Sequence, residues 1–111
     1  MDADQLAAEA LSQPGAWLDE PWEGDHVAKV GDRIFVFLGS HQVGLKCGRT
    51  REEADELVAQ YPGAVGPMPY LARYGWNTIA LDGTISDAEL AELLDASYRD
   101  VVSRLPKSKR P

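Results

Sequence analysis

The spacing of apolar residues predicts three helices. In residues 3–12, 51–61 and 87–105, apolar side chains recur every three or four positions, which places them along one side of a helix. A side chain that can cap the first turn precedes each segment, namely Asp2, Thr50 and Ser86. A proline shortly after each segment stops the helix. We therefore expect three amphipathic helices, each with one buried side.

Four further segments have the composition of β-strands. Residues 26–47 contain three β-rich runs separated by short glycine-containing turns, which predicts a three-stranded antiparallel meander. The run "IFVFL" within it is apolar throughout, so it predicts a strand that is central or covered on both faces. A fourth strand begins at Trp76, with Trp76 and Thr78 on one face and Asn77 and Ile79 on the other.

The predicted order of elements is α-β-β-β-α-β-α, an α+β arrangement. Too few helices separate the strands for a parallel sheet, so we expect an antiparallel sheet with the helices packed on one face. The other face stays partly open to a ligand. Residues 16–25 are predicted to be a loop, and residues 62–75, with three prolines and three glycines, a longer one. The chain is expected to form one domain, 1–111, with a flexible tail at 106–111.

The charge of the chain is acidic overall and uneven along its length. The formal net charge is −7 and the pI is about 4.7, which argues against a general electrostatic grip on nucleic acid. Residues 25–50 nevertheless contain four basic residues against two acidic ones. The single cysteine, the lack of a basic and apolar leader, and the lack of a long apolar run predict a cytoplasmic protein without membrane contact.

No combination of residues predicts catalysis, a metal site or a cofactor. His26 and His41 are isolated, Cys47 has no partner at a spacing typical of zinc sites, and Ser97 lacks the glycines of a nucleophile elbow. The glycines of residues 63–66 are not followed by the lysine and hydroxyl residue of a phosphate loop. We therefore expect a binding protein rather than an enzyme.

Basic residues near predicted turns and strand ends are the clearest binding candidates. Five basic residues flank the first hairpin turn, end or follow the third strand, or border the long loop, where a tryptophan joins them. The candidates are Lys29, Arg33, Lys46, Arg49, Arg73 and Trp76. Basic side chains close to aromatic ones can contact phosphates and stack on bases. The same charges would also suit the solvated edge of a sheet, and Trp76 would suit either a core position or a ligand contact.

The sequence resembles the MmcQ/YjbR family of small bacterial proteins over residues 10–105. The likeness is carried by "GWNTIALDGTISDAELAELLDASYRDVV", in which a tryptophan opens a strand and a helix carries Ser97-Tyr98, and by "GDHVAKVGDRIFVFLG" and "VGLKCGRTREEADEL" upstream. The resemblance implies a CyaY-like, or frataxin-like, fold and DNA binding through a double-wing architecture. It places the family's basic positions and its tryptophan on Lys29, Arg33, Lys46, Arg73 and Trp76.

DNA binding through a local basic patch is the first hypothesis, and a protein-interaction or adaptor module is the alternative. The acidic N-terminal segment and the negative net charge favour the alternative, with the partner on the open sheet face or on a sheet edge. The frataxin-like shape adds a third hypothesis, weak iron binding by acids of the first helix such as Asp2, Asp4 and Glu9. Convergence of the basic residues on one surface would favour the first hypothesis.

Overall fold

The computed structural model describes residues 1–111 and consists of three α-helices and one six-stranded sheet. In chain order the elements are α1 (Ala3–Leu11), β1 (Ala16–Trp22), β2 (Asp25–Val30), β3 (Arg33–Leu38), β4 (Gln42–Lys46), α2 (Arg51–Gln60), β5 (Val65–Pro67), β6 (Trp76–Ala80) and α3 (Asp87–Ser103). Short 3-10 turns cover Ala72–Tyr74 and Lys107–Lys109. The strand order is β1-β2-β3-β4-β6-β5, with every neighbouring pair antiparallel. The predicted α+β class is confirmed.

The three helices begin at their predicted caps and cover one face of the sheet. The side chains of Asp2, Thr50 and Ser86 each accept a hydrogen bond from the backbone N–H three residues later. The core between the helices and the sheet includes residues from α1, α3 and the central strands, among them Leu6, Val36, Leu45, Ile79 and Leu94. The opposite face of the sheet carries no α-helix, and we call it the open face.

The sheet has two more strands than the sequence predicts, and both lie in segments predicted to be loops. Residues 16–22 form β1, which pairs with β2, and residues 65–67 form β5, which pairs with β6. Both are edge strands, where proline is tolerated because one side of the strand needs no ladder hydrogen bonds. The sequence gives no clear strand pattern in these segments, because β1 contains Pro21 and acidic residues and β5 contains Gly66 and Pro67.

Two fully buried polar side chains, Ser97 and Asn77, attach the helices to the sheet. The Ser97 hydroxyl of α3 accepts a hydrogen bond from the Lys46 backbone N–H at 3.1 Å and donates one to the Phe35 carbonyl at 2.6 Å. On the other side of the core, the Asn77 side-chain amide donates to the Ala54 carbonyl at 2.9 Å and accepts from Arg51 at 2.6 Å. These contacts attach α3 to β3 and β4, and α2 to β6.

An irregularity in β3 sends two phenylalanines to opposite faces of the sheet. Lys29 pairs with Ile34 and the preceding residue of β2 pairs with Val36, so Phe35 has no partner across the ladder. Phe35 packs edge-to-face on Tyr98 of α3, with ring centroids 5.2 Å apart. Phe37, two residues later, lies on the open face. Without this bulge, both rings would point to the same side, because side chains alternate along a strand.

Candidate functional site

A groove of about 550 Å³ lies on the open face of the sheet and extends to the last turn of α3. Its apolar floor comes from β3, from β6 and from the segment that precedes β6: Ile34, Phe37, Leu71 and Trp76. Its polar lining consists of five cationic side chains and one carboxylate: Arg33, Lys46, Arg49, Arg73, Arg104 and Asp32. We call this site the basic groove. Its volume is within the range of about 300–1,000 Å³ that is typical of ligand sites.

Five of the six predicted site residues line the basic groove, namely Arg33, Lys46, Arg49, Arg73 and Trp76. They belong to separate parts of the chain that the sheet brings together, since the antiparallel register pairs Lys46 at the end of β4 with Trp76 at the start of β6. Four of the five predicted basic residues therefore converge on one surface. DNA binding by these residues stays a prediction.

Lys29 is the predicted residue that the structure does not bring to the groove. Its ammonium lies 2.7 Å from the Asp19 carboxylate and 5.3 Å from the centre of the Trp17 ring. The hydrogen bond from Lys29 holds the pKa of the Asp19 carboxyl below its usual value. Lys29 therefore has a carboxylate partner, which lies on a strand that the sequence did not predict.

One carboxylate organises three of the cations. Asp100 of α3, whose side chain is only 16% exposed, lies 3.1 Å from Arg104 Nε, 3.6 Å from Arg49 Nε and 3.9 Å from Lys46 Nζ. Lys46 also donates a hydrogen bond to the Tyr74 carbonyl. Burial lowers the pKa of the Lys46 ammonium, and the charge of Asp100 opposes that shift. This cluster of three cations and one carboxylate retains a net charge of +2.

The other two cations have no carboxylate partner. Arg33 at the start of β3 is exposed, and its side chain makes no hydrogen bond or ion pair within the chain. Arg73 donates to the Tyr74 hydroxyl at 2.6 Å, and its guanidinium lies 4.7 Å from the centre of the Tyr74 ring. This stacking orients the guanidinium without neutralising it. Arg33 and Arg73 are therefore the cations most available to an anionic ligand.

Trp76 is both a packed residue and part of the groove floor. It is 8% exposed and packs edge-to-face on Phe37, with ring centroids 5.4 Å apart and an angle of 78° between the rings. Arg51 donates to the carbonyls of Ala72 and Trp76, at 2.9 and 3.1 Å, so the segment that carries Arg73 is fixed to α2. The floor is consequently preformed rather than assembled by a ligand.

Three of the groove residues that sequence reasoning missed are the basic Arg104 and the aromatic Trp22 and Tyr74. Arg104 follows α3, and only the docking of that helix on the sheet shows that it approaches the loop after β4. Trp22 ends a strand that was predicted to be a loop. Tyr74 directly follows Arg73, and an aromatic ring beside a cation was the available signal.

The residues considered for catalysis do not form a site. The exposed His26 lies 3.8 Å from Glu20, and the Ser97 hydroxyl is occupied by its backbone contacts. Burial raises the pKa of the Cys47 thiol to about 11, so the thiol is protonated at neutral pH. No group of three or more histidine, cysteine or acidic side chains is arranged to hold a metal ion. None of the helices combines the length and the apolar composition needed to span a bilayer.

Comparisons with known proteins agree with the resemblance seen in the sequence. Residues 11–100 match the family model for YjbR. The chain is 32% identical to the uncharacterized protein YjbR of Escherichia coli K12 over 116 aligned positions, which cover 99% of this chain and 95% of that protein. The corresponding protein of Escherichia coli O157:H7 shows the same identity and coverage.

Two crystal structures have the same fold. Deinococcus radiodurans protein DR2400, with a DUF419 domain, superposes with a TM-score of 0.85 at 26% identity, over 97% of this chain and 84% of that one. A Pseudomonas syringae protein superposes with a TM-score of 0.71 at 19% identity, over 89% and 97% of the two chains. Sequence and structure together show that the chain belongs to the YjbR family.

Proposed function

We propose that this protein is a non-catalytic nucleic-acid-binding module that contacts phosphates through the basic groove. One observation carries the proposal: five cations from separate parts of the sequence line one groove of a chain whose net charge is −7. Two of them, Arg33 and Arg73, have no carboxylate partner. Arginine forks match phosphate oxygens in geometry, and phosphate contacts supply most of the affinity for nucleic acid.

The charge of the groove sets the salt dependence expected of this binding. The five cations are opposed by Asp32 at the rim and Asp100 behind it, which leaves a net charge of +3. If three phosphates are neutralised, the logarithm of the affinity falls by about 2 to 3 for each tenfold increase in salt. Affinity should then fall about 20- to 40-fold between 50 and 200 mM salt. Because the affinity falls this steeply with salt, the binding assays are done at low salt.

Fluorescence anisotropy of labelled DNA tests the proposal directly. Replacing Arg33 and Arg73 together by alanine should weaken binding about 50-fold or more at 50 mM salt, because two of three phosphate contacts are lost. Arg99→Ala is the matched control, since Arg99 is an exposed arginine of α3 that pairs with Asp95 outside the groove. The control should change affinity less than about twofold. Absence of binding at 50 mM salt, or equal losses in both variants, would reject the proposal.

A protein-interaction module is the second candidate, and the exposed residues of β1 favour it. This edge strand exposes three large apolar side chains, Trp17, Leu18 and Trp22, by 44%, 51% and 59%. An edge strand can accept a partner strand by main-chain hydrogen bonding. A pull-down with Leu18→Lys as the comparison tests this candidate. It predicts a protein that the wild type retains and the variant loses, and recovery of nucleic acid alone would count against it.

A further inference from the structure

We propose that the basic groove takes single-stranded nucleic acid, with an unpaired base on its apolar floor and the adjoining phosphates on its arginines. This inference rests on the proposed function and states which form of nucleic acid the site recognises. It follows from the composition of the floor, from the exposed rings at the rim, and from the charge of the rest of the chain.

The floor of the groove is suited to a flat apolar group and not to a phosphate. Ile34, Phe37, Leu71 and Trp76 form it, with Trp76 held in place by Phe37 and by the contacts of Arg51. A phosphate backbone that contacts only the rim would leave this surface in water. A base placed on the floor would bury apolar area, while its phosphates remain at the charged rim.

Two half-exposed aromatic rings at the rim add stacking surfaces. Trp22 is 59% exposed at the end of β1, and Tyr74 is 49% exposed in the 3-10 turn before β6. Both line the groove. The fold buries only about half of each ring, and every base has a face on which such rings can stack. Arg73, which already lies on the Tyr74 ring, would place its charge beside a stacked base.

The charge outside the groove disfavours a duplex. The chain carries −7 in total and the groove +3, so the remaining residues carry −10. A duplex is stiff and has one phosphate charge for about every 1.7 Å of its length, so a molecule 39 Å long would face many phosphates beyond the groove. Paired bases are also hidden within the helical stack and could not reach the floor. A single strand can place one or two nucleotides in the groove and bend away from the acidic surface.

A comparison of four anionic probes separates base recognition from charge. Wild-type protein is titrated at 50 mM salt with a 12-nucleotide oligothymidine, an abasic oligonucleotide of equal length, a 12-base-pair duplex, and polyglutamate. Stacking of one base on an aromatic ring changes affinity about fivefold or more. The oligothymidine should therefore bind at least fivefold more tightly than the abasic strand and more tightly than the other two probes.

Variants of the rim rings test the same point independently of charge. Trp22→Ala should weaken oligothymidine binding about fivefold or more and leave abasic binding within twofold. Tyr74→Ala should weaken oligothymidine binding more than abasic binding, and it should weaken both because it also removes the ring that orients Arg73. Trp22→Phe should retain most of the affinity. Tyr70→Ala is the control, because Tyr70 is 98% exposed on the neighbouring loop and does not line the groove. Circular dichroism and thermal melting confirm that each variant is folded.

The outcomes distinguish this inference from the proposed function. Equal affinity for the abasic strand or the duplex, or unchanged binding by both alanine variants, would reject base stacking while phosphate binding remained supported. Polyglutamate binding as tight as that of oligothymidine would reject nucleic-acid selectivity altogether. No binding of any oligonucleotide at 50 mM salt would reject both the inference and the proposed function.

Discussion

Replacing Asp100 by asparagine should lower the stability of the fold while it strengthens binding of an anion. The carboxylate of Asp100 is 3.9 Å from the ammonium of Lys46, whose side chain is only 7% exposed. At this distance the attraction is about 4 kcal/mol with an effective dielectric constant of 20. The net loss of stability should be smaller, about 2 kcal/mol, because Asp100 itself no longer has to be desolvated. The exposed contacts to Arg49 and Arg104 add little.

The same substitution raises the net charge of the groove from +3 to +4. One additional phosphate contact to a single strand should increase the slope of affinity against salt by about 0.7 and strengthen binding about eightfold at 50 mM salt. At 200 mM salt the gain falls to about threefold. Urea unfolding measures the free energy of unfolding, and in thermal unfolding a loss of about 2 kcal/mol should lower the melting temperature by about 8 °C. Anisotropy with oligothymidine measures the affinity.

Asp95→Asn provides the matched control for this prediction. Asp95 is on the same helix and pairs with the exposed Arg99 at 2.9 Å, outside the groove. This substitution changes the net charge of the chain by the same amount, but it should change affinity less than twofold and stability by less than about 1 kcal/mol. If Asp100→Asn and Asp95→Asn strengthened binding equally, total charge rather than the groove would govern affinity. If Asp100→Asn weakened binding in a folded protein, the electrostatic reasoning would be wrong.

Three further predictions concern the structure that supports the groove. Gly75→Ala should destabilise the protein by more than about 2 kcal/mol in urea unfolding, because Gly75 has a φ of 91° and a Cβ there would lie 2.1 Å from the Gly48 carbonyl oxygen. Ser97→Ala should cost about 1–3 kcal/mol in the same assay, since it removes a buried partner of two backbone groups, and should leave oligothymidine affinity unchanged. Alkylation of Cys47 by iodoacetamide at pH 8 should be at least about tenfold slower than alkylation of a free cysteine, and its rate should keep rising up to about pH 11 because the thiol pKa is about 11. A rate equal to that of free cysteine would contradict the raised thiol pKa of this half-buried side chain.

The parts of the fold that were predicted correctly have signals contained in short stretches of sequence. The helices are marked by apolar periodicity and by caps, and the meander of residues 26–47 by its turns. The two edge strands carry no such signal. β1 contains Pro21 and acidic residues, and β5 has only three residues, so what defines both is their pairing with an inner strand. Such pairing depends on the rest of the sheet.

The same limit explains which site residues could be predicted. Arg33, Lys46 and Arg73 stand at predicted strand ends and turns, where side chains from different elements meet. Lys29 occupies an equivalent position in the sequence, but its partner Asp19 lies on the strand that was not predicted. Arg104 reaches the groove through the docking of α3, which no local pattern specifies. The bulge that turns Phe37 to the open face is likewise a property of the ladder and not of the run "IFVFL".

The β2–β3 hairpin has fewer unpaired cations to offer a nucleic acid than the basic groove has. A wing that inserts into a duplex would need free cations along the β2–β3 hairpin, yet Lys29 is paired with Asp19, and Asp32 stands beside Arg33 at the turn. The hairpin therefore offers only Arg33 as a cation without a partner, and that side chain lines the groove. Arg73 and the cluster around Asp100 line the same groove, above a floor that a phosphate cannot use. Recognition of an exposed base together with its phosphates accounts for the cations and the apolar floor at once, whereas contact with phosphates alone accounts only for the cations.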